Sequence, residues 1–280
     1  MVFINTYYIS ENKNIKFIDK LKCFTKKDNK ILVNFDLDKF NIKKAKKILK
    51  ILNKNNVRNV VLSKEVQKNE ILINYLNSSN VNIFNGRWLE KYLAYEIVKY
   101  ILIKKNIKEE ETEIAILINQ IDEVSTENIK LFAKEFKRVN IVTNHIEKFK
   151  NIEESIFDEF GIMITITNNK KKSLKNAKII LNIDFPNEFI NKFNIYDDAI
   201  ILNLDGDIKI NKKRFSGLNI NNYEISLNDV DYLSEEFYIR DIFESQIYKK
   251  VAFKNIRKEI KEKGVNIEQL IGLNGLIKFN

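Results

Sequence analysis

Residues 114–125 read IAILINQIDEVS, an uninterrupted apolar segment followed by a polar turn. Such a segment, bounded by turn residues, is typical of a strand that is buried on both faces of a parallel sheet. A helix is predicted to follow over Ser125–Phe136, with its apolar side chains on one face. Four further segments repeat the apolar pattern: Val139–Thr143, Ile162–Thr167, Lys178–Ile183 and Ala199–Leu204. The alternation of strands with helical segments predicts a five-stranded parallel α/β sheet.

The turn after the first of these strands, Asn119–Ser125, contains no glycine, and neither does any position between Arg87 and Phe160. In dinucleotide-binding folds this turn carries the pattern G-x-G-x-x-G, whose glycines let the backbone approach a pyrophosphate. The sequence therefore predicts a Rossmann-like sheet that lacks the usual phosphate-binding fingerprint.

Ligands of open parallel α/β sheets bind outside the carboxyl ends of the strands. The polar residues at those ends are the candidate cofactor-binding residues: Asn119, Gln120, Ser125, Thr143, Asn144, Thr167, Asn168 and Asp184. These residue types can hydrogen-bond a ligand, but they are also common in ordinary strand-to-loop turns. At the edge of this crevice, Lys170–Lys172 could hold a phosphate or form a solvated lysine loop.

Neither a metal site nor a catalytic set can be assigned from the sequence. The chain has one cysteine, Cys23, and one histidine, His145, so it offers no intrachain disulfide and no zinc-ligand set built from these residues alone. No carboxylate stands at a spacing that would orient His145 for acid–base work. The sequence therefore favours a binding protein over an enzyme.

The excess positive charge lies in the N-terminal part of the chain. Residues 1–111 hold 23 Lys and Arg against 12 Asp and Glu, whereas residues 112–280 hold 25 against 26. Within the first part, the segment Ile42–Leu52 predicts a helix capped by Asn41, with five lysines and no acidic residue. Such a helix fits binding to nucleic-acid phosphates or to an anionic membrane, or an ordinary solvent-facing helix in a lysine-rich chain.

These patterns predict two α/β domains and a C-terminal helix. Residues 1–86 are expected to form a basic α/β domain, 87–111 a connecting helix and linker, 112–230 the Rossmann-like domain, and 231–280 a C-terminal helical segment. The first domain is expected to contain strands over Val2–Ile9, Ile31–Phe35, Val57–Leu62 and Val81–Phe84, and the segment Ile15–Phe24 fits either a helix or a strand. A helix is expected over Lys64–Leu76, and a longer one over Ser234–Lys263, ended by Gly264.

No run of eighteen apolar residues is present, so no membrane-spanning helix is expected. The segment Met1–Ile9 lacks the basic start and the cleavage site of a signal peptide. A cytoplasmic location is the resulting expectation.

The segment Ser173–Asn182, SLKNAKIILN, looks like the fourth-strand segment of two-domain NAD(P)-dependent enzymes. Asp184-Phe185-Pro186 falls where a proline-containing turn often follows in them. In topology, residues 87–206 resemble the plan of shikimate dehydrogenases, glutamyl-tRNA reductases and methylene-tetrahydrofolate dehydrogenases. The resemblance implies an N-terminal α/β substrate domain joined by a helix to an NAD(P)-binding domain. The chain departs from that plan at the missing glycine fingerprint and at Thr143-Asn144, where those families carry an acidic residue or an arginine.

Three functional hypotheses follow. The first is a catalytically degenerate relative of these dehydrogenases that acts as a binding or regulatory protein for an anionic ligand or a protein partner. The second is an active NAD(P)-dependent oxidoreductase in which Asn119–Ser125 forms a non-standard, open cofactor loop. The third is a nucleic-acid-associated protein that acts through the basic N-terminal domain.

Overall fold

The computed structural model describes residues 5–13, 22–204, 206–211, 213–228, 235–248 and 252–279. They form two compact units. The first contains the described residues up to Trp88, those within 226–251, and Glu262–Gly264. The second contains the described residues within 89–225, those from Ala252 to Lys261, and those from Val265 onward.

The first unit is built on a five-stranded sheet with the strand order β2-β3-β1-β4-β5. Its strands are β1 (Thr6–Glu11), β2 (Phe24–Lys27), β3 (Lys30–Val33), β4 (Asn59–Leu62) and β5 (Asn82–Phe84). The edge strand β2 runs antiparallel to β3, and the other neighbours are parallel. The predicted strand Val2–Ile9 and the ambiguous segment Ile15–Phe24 lie partly outside the described residues.

Two helices of the first unit, α1 (Ile42–Lys54) and α2 (Glu70–Ser78), each begin at an asparagine cap. Asn41 Oδ1 accepts the backbone N–H of Lys44 at 3.1 Å, as the sequence predicts. The helix predicted from Lys64 begins later, because Asn69 Oδ1 accepts the N–H of Leu72 and sets the start of α2 at Glu70. The preceding residues Val66–Lys68 form a 3₁₀ turn.

The second unit is built on a six-stranded sheet with the order β11-β10-β9-β6-β7-β8. Its strands are β6 (Glu113–Leu117), β7 (Arg138–Val142), β8 (Thr165–Thr167), β9 (Ile179–Asn182), β10 (Ile200–Asn203) and β11 (Leu218–Ile220). Every neighbouring pair is parallel. Numbered within this unit, the order is 3-2-1-4-5-6, the arrangement of a Rossmann fold. The predicted fold class, α/β with two domains and a Rossmann-like sheet, is confirmed.

The helices of this part of the chain are α3 (Arg87–Lys105), α4 (Glu123–Glu135), α5 (Ile146–Phe160), α6 (Lys170–Asn176) and α7 (Asn187–Ile190). Gly161, with φ of +67°, ends α5 in the left-handed conformation that glycine adopts without steric cost. The boundary between the two units falls after Trp88, near the start of α3. Lys170–Lys172 form the first turn of α6 and not a loop.

The sequence predicts five strands for this sheet, whereas the structure has six. The additional strand, β11, has only three residues, with the polar Asn219 at its centre. It pairs with β10 in parallel register, Leu202 opposite Ile220. A strand this short has no apolar run by which the sequence could reveal it.

The described residues within 231–280 do not form the single helical segment that the sequence predicts. Two shorter helices, α8 (Ile239–Ile247) and α9 (Phe253–Glu262), stand in place of one, and Ser234 lies outside the described residues. Helix α8 belongs to the first unit, where Phe237 and Ile242 share a buried cluster with Val61 and Phe84.

The chain after α9 is extended. Gly264, with φ of +60°, follows α9, and β13 (Asn266–Gly272) and β14 (Gly275–Leu276) then form an antiparallel hairpin. β13 also joins β12 (Asn222–Ser226) in a three-stranded sheet. The chain reverses through Leu273 and Asn274, and Gly275, with φ of +100°, then takes a left-handed conformation that favours glycine.

Candidate functional site

The strand order of the second unit reverses between β6 and β9, and ligands of this fold bind at such a switch point. The predicted binding residues lie at the carboxyl ends of four neighbouring strands. Asn119, Gln120 and Ser125 follow β6, Thr143 and Asn144 follow β7, Thr167 ends β8 before Asn168, and Asp184 follows β9. In the sheet, β8 is two strands away from β6, so Thr167 and Asn168 stand farthest from the switch point.

The carboxylate of Asp184 bridges the switch point. Both of its oxygens accept the backbone N–H of Asn119, at 2.9 and 2.8 Å, and Oδ2 also accepts the N–H of Gln120 at 2.7 Å. In a Rossmann fold, the backbone N–H groups of this first turn face the pyrophosphate of the dinucleotide. A side chain of the protein itself therefore accepts the hydrogen bonds that the turn would otherwise offer to a phosphate.

The start of α4 is closed as well. Asp122 Oδ1 accepts the backbone N–H of Ser125 at 2.7 Å, and Ser125 Oγ accepts the N–H of Asp122 at 2.9 Å. This reciprocal pair is a capping box, and Ser125 is only 4% exposed. The open anion cradle that the oxidoreductase hypothesis requires over Asn119–Ser125 is thus filled by internal hydrogen bonds.

The loops after β6 and β7 are joined through Asn119. Its side-chain oxygen accepts the backbone N–H of Asn144 at 2.9 Å. Thr143 is fully buried, and its Oγ1 accepts the N–H of His145 at 3.1 Å. The structure therefore brings Asn119, Gln120, Asn144 and Asp184 together as one hydrogen-bonded edge.

The end of β8 forms a separate turn. Thr167 Oγ1 accepts the backbone N–H of Asn169, and the Asn168 carbonyl accepts that of Lys170, both at 3.0 Å. Asn169 Oδ1 accepts the N–H of Lys172 at 3.2 Å and caps α6. These bonds are turn and capping chemistry, the reading that the sequence left open beside ligand binding.

A row of buried asparagines beside the switch point is not among the predicted residues. Asn182 Nδ2 donates to the carbonyl of Phe185 at 3.0 Å, and Asn203 Nδ2 donates to Asn221 Oδ1 at 2.9 Å. Asn221 Oδ1 also accepts the backbone N–H of Ile208 at 2.9 Å. The sequence does carry a signal for this row, because the tetrapeptide IILN occurs twice, at 179–182 and 200–203, in matching register.

The row fixes the conformation of the loops that follow β9 and β10. Its amides are fully buried and hydrogen-bonded, so they specify loop geometry more strongly than exposed polar groups would. One of the fixed loops begins with Asp184, and the anchored carbonyl of Phe185 directly follows that residue. The asparagines therefore support the position of the Asp184 carboxylate.

In the first unit, two acidic side chains of α8 are buried, Asp241 and Glu244. Glu244 accepts hydrogen bonds from the backbone N–H groups of Gly86 and Trp88, and burial, with nearby Asp241 adding to it, raises the pKa of Glu244 to about 8. Asp241 Oδ2 accepts Gln67 Nε2 at 2.6 Å. These contacts hold Gly86, whose φ is +81°, beside α8 within the first unit.

Among the described residues, no group of three or more histidine, cysteine or acidic side chains could hold a metal ion. In that same part of the chain, no helix combines the length and apolar character needed to cross a bilayer. Asp205, which follows β10, lies outside the described residues.

Solved structures resemble this chain only distantly. L-tryptophan dehydrogenase from Nostoc punctiforme aligns over 94% of this chain and 84% of its own, with 10% identity and a TM-score of 0.36. A D-isomer specific 2-hydroxyacid dehydrogenase family protein from Aeromonas salmonicida subsp. salmonicida A449 aligns over 99% and 100%, with 14% identity and a TM-score of 0.36. Aspartate transcarbamoylase from Trypanosoma cruzi aligns over 71% and 72%, with 12% identity and a TM-score of 0.30.

At these TM-scores the likeness carries no argument about ligand or activity, and the fold assignment rests on the two sheets described above. No protein-family model matches the chain, and no curated protein matches it in sequence.

Proposed function

We propose that this protein is a catalytically degenerate, Rossmann-like binding or regulatory protein that does not take NAD(P) at its switch point. The observation that supports this proposal is the Asp184 carboxylate on the backbone N–H groups of Asn119 and Gln120. In this account the fold retains the sheet of a dehydrogenase while an internal carboxylate replaces the cofactor's phosphate.

Electrostatics supports the proposal. A pyrophosphate that entered the turn would have to displace Asp184 or lie beside it, and either arrangement is unfavourable. Displacement leaves a half-buried carboxylate without its two donors, which costs about 1 to 3 kcal/mol or more for a charged group. Retention places like charges within a few ångströms, where repulsion near a protein surface is on the order of 4 kcal/mol.

Side chains in the turn add a steric reason. The positions that are glycine in the usual fingerprint allow the backbone to contact the pyrophosphate directly. Here, every residue of Asn119–Ser125 carries a Cβ atom. At the end of β7, Thr143-Asn144 also supplies no carboxylate for a ribose hydroxyl. The alternative, an active oxidoreductase with a non-standard loop, would need both the turn and the capping box to open.

The test is a thermal-shift titration with NAD(H), NADP(H), ATP and S-adenosylmethionine, each at millimolar concentration. A ligand present at one hundred times its Kd, and bound only to the folded state, adds about 2.7 kcal/mol to the free energy of unfolding. We expect no shift with either nicotinamide cofactor. A clear, saturable rise with NAD(H) or NADP(H) would overturn the proposal and restore the oxidoreductase hypothesis.

A further inference from the structure

Positive charge is concentrated in one segment of the first unit. Positions 22 to 58 hold twelve Lys and Arg and only three Asp and Glu. The three acidic residues lie outside α1: Asp28 in the β2–β3 turn, Asp36 at the start of a 3₁₀ turn, and Asp38 within that turn. The segment therefore presents a strongly positive surface, although the second part of the chain is nearly neutral.

Helix α1 places its fully buried apolar residues and its exposed lysines on opposite faces. Ala45, Ile48 and Leu52 are fully buried in the core of the first unit. The opposite face carries exposed lysines and no acidic residue: Lys43, Lys46, Lys47, Lys50 and Lys54. None of these lysines forms an ion pair with a described residue.

Some lysines elsewhere in the described residues are neutralised by near neighbours. Lys68, Lys108 and Lys150 each lie 2.6 to 3.0 Å from a glutamate three residues away. Helix α1 carries no such glutamate, so the charge of its lysines is not balanced within the helix. Helix α6 shares this property, because Lys170–Lys172 and Lys175 also have no acidic residue within their helix.

A groove of about 360 Å³ runs between α1 and the neighbouring strand β2. It is lined by Cys23, Phe24, Lys47, Lys50, Ile51 and Lys54. The three lysines follow one stripe of the helix and, at a rise of 1.5 Å per residue, span roughly 10 Å. Lys47 Nζ lies 3.6 Å from Cys23 Sγ, a contact that directs this ammonium group toward the groove.

The positive surface continues past the groove onto the edge strand. Lys26 Nζ donates a hydrogen bond to Asn55 Oδ1, just beyond the end of α1. The same ammonium group lies 5.4 Å from the centre of the Tyr7 ring. The lysine of the edge strand is thereby held next to the lysines of the helix.

We propose that this groove binds single-stranded nucleic acid without sequence preference. Proteins with that activity combine a positive groove that follows the phosphates with aromatic side chains that stack on the bases. Here, Phe24 and Ile51 supply the apolar surface, and Lys47, Lys50 and Lys54 supply the cations. The proposal concerns the first unit and goes beyond the function proposed for the switch point.

A membrane surface fits these observations less well. A helix that lies in a membrane interface needs a free apolar face to insert among the lipids. Most of the apolar face of α1 is used in the core, since Ala45, Ile48 and Leu52 have no exposed surface, and Ile42 in the first turn is its exposed large apolar side chain. An apolar surface limited to Ile42 and the groove, beside this much positive charge, favours a polyanion in solution.

The test is fluorescence anisotropy with a labelled 20-nucleotide oligothymidine at 20 to 200 mM salt. The groove variant is Lys47→Gln/Lys50→Gln/Lys54→Gln. The matched control is Lys254→Gln/Lys258→Gln/Lys261→Gln, which removes the same charge from exposed lysines of α9. We expect the groove variant to bind at least about tenfold more weakly and to lower the salt slope by about 2, since each contact to single strands contributes about 0.7.

A second variant tests the stacking surface. Phe24→Leu keeps an apolar side chain but removes the ring, so oligothymidine binding should fall roughly fivefold. Binding of inorganic polyphosphate, which has no bases, should not change. The proposal is overturned if the wild-type protein does not bind the oligonucleotide at 20 mM salt, or if both triple variants lose affinity equally. It also fails if Phe24→Leu is without effect, or if the protein binds anionic vesicles and not the oligonucleotide.

Discussion

Removing the Asp184 carboxylate should convert the closed turn into an anion site, and Asp184→Ala makes that change. In the wild-type protein the carboxylate accepts two backbone N–H groups, those of Asn119 and Gln120. A hydrogen bond to a charged group contributes about 1.5 to 3 kcal/mol. Water can replace the carboxylate at the exposed Gln120, so the sum falls toward the lower end. We expect the free energy of unfolding to decrease by about 2 to 4 kcal/mol.

The assay is urea denaturation followed by circular dichroism, in chloride and in phosphate at equal ionic strength. Phosphate should bind the two N–H groups that the variant leaves available, and at ten times its Kd it would restore about 1.4 kcal/mol. The wild-type protein should gain less from phosphate because Asp184 already occupies those donors. The matched control is Asp158→Ala on the exposed face of α5, which should change the stability by less than about 0.5 kcal/mol. A loss below 0.5 kcal/mol for Asp184→Ala, or an equal gain from phosphate in both proteins, would refute the reasoning.

Three further changes test other parts of the structure. Burial raises the pKa of Glu244 from its ordinary value of 4.5 to about 8 in the folded protein. Between pH 4.5 and 8 the folded state therefore binds a proton that the unfolded state does not, and the free energy of unfolding should fall as the pH rises through this range. Urea titrations from pH 5.5 to 8.5 should show a loss of about 3 kcal/mol that Glu244→Gln removes, and parallel profiles would contradict this assignment. In the same assay, Gly86→Ala should lower the free energy of unfolding by at least about 1 kcal/mol more than Gly161→Ala. Both glycines have positive φ, but only at Gly86 would the new Cβ lie 2.5 Å from Arg240 Cδ. Equal costs would exclude that close approach. Asn203→Ala should lower the free energy of unfolding by about 2 to 4 kcal/mol, since it leaves buried partners unsatisfied, and a cost under 0.5 kcal/mol would show that the asparagine row is dispensable.

Much of the second sheet can be predicted from the sequence because its central strands are continuous apolar runs. Ile114–Ile118 and the two IILN segments are buried on both faces, so hydrophobicity alone identifies them. The short edge strand β11 gives no such signal. The C-terminal hairpin has a glycine next to its turn, Gly275, but the lysine- and glutamate-rich segment before it favours a continuous helix.

The candidate site is harder to predict because its decisive contact is not local. The sequence places Asp184 and Asn119 at the carboxyl ends of strands, which is correct. It cannot show that the two residues meet, since 65 positions separate them and the contact depends on β6 and β9 being neighbours. The same limit applies to the groove of the first unit, where Phe24 and the lysines of α1 come together only through the sheet.

The most direct test of the central claim is a two-dimensional ¹H–¹⁵N NMR titration that follows the amide resonances of Asn119 and Gln120. We predict that both amides are protected from hydrogen exchange, that Asp184→Ala removes this protection, and that 5 mM NAD leaves their chemical shifts in the wild-type protein unchanged. Saturable shifts of the two amides on addition of NAD to the wild-type protein would contradict the account.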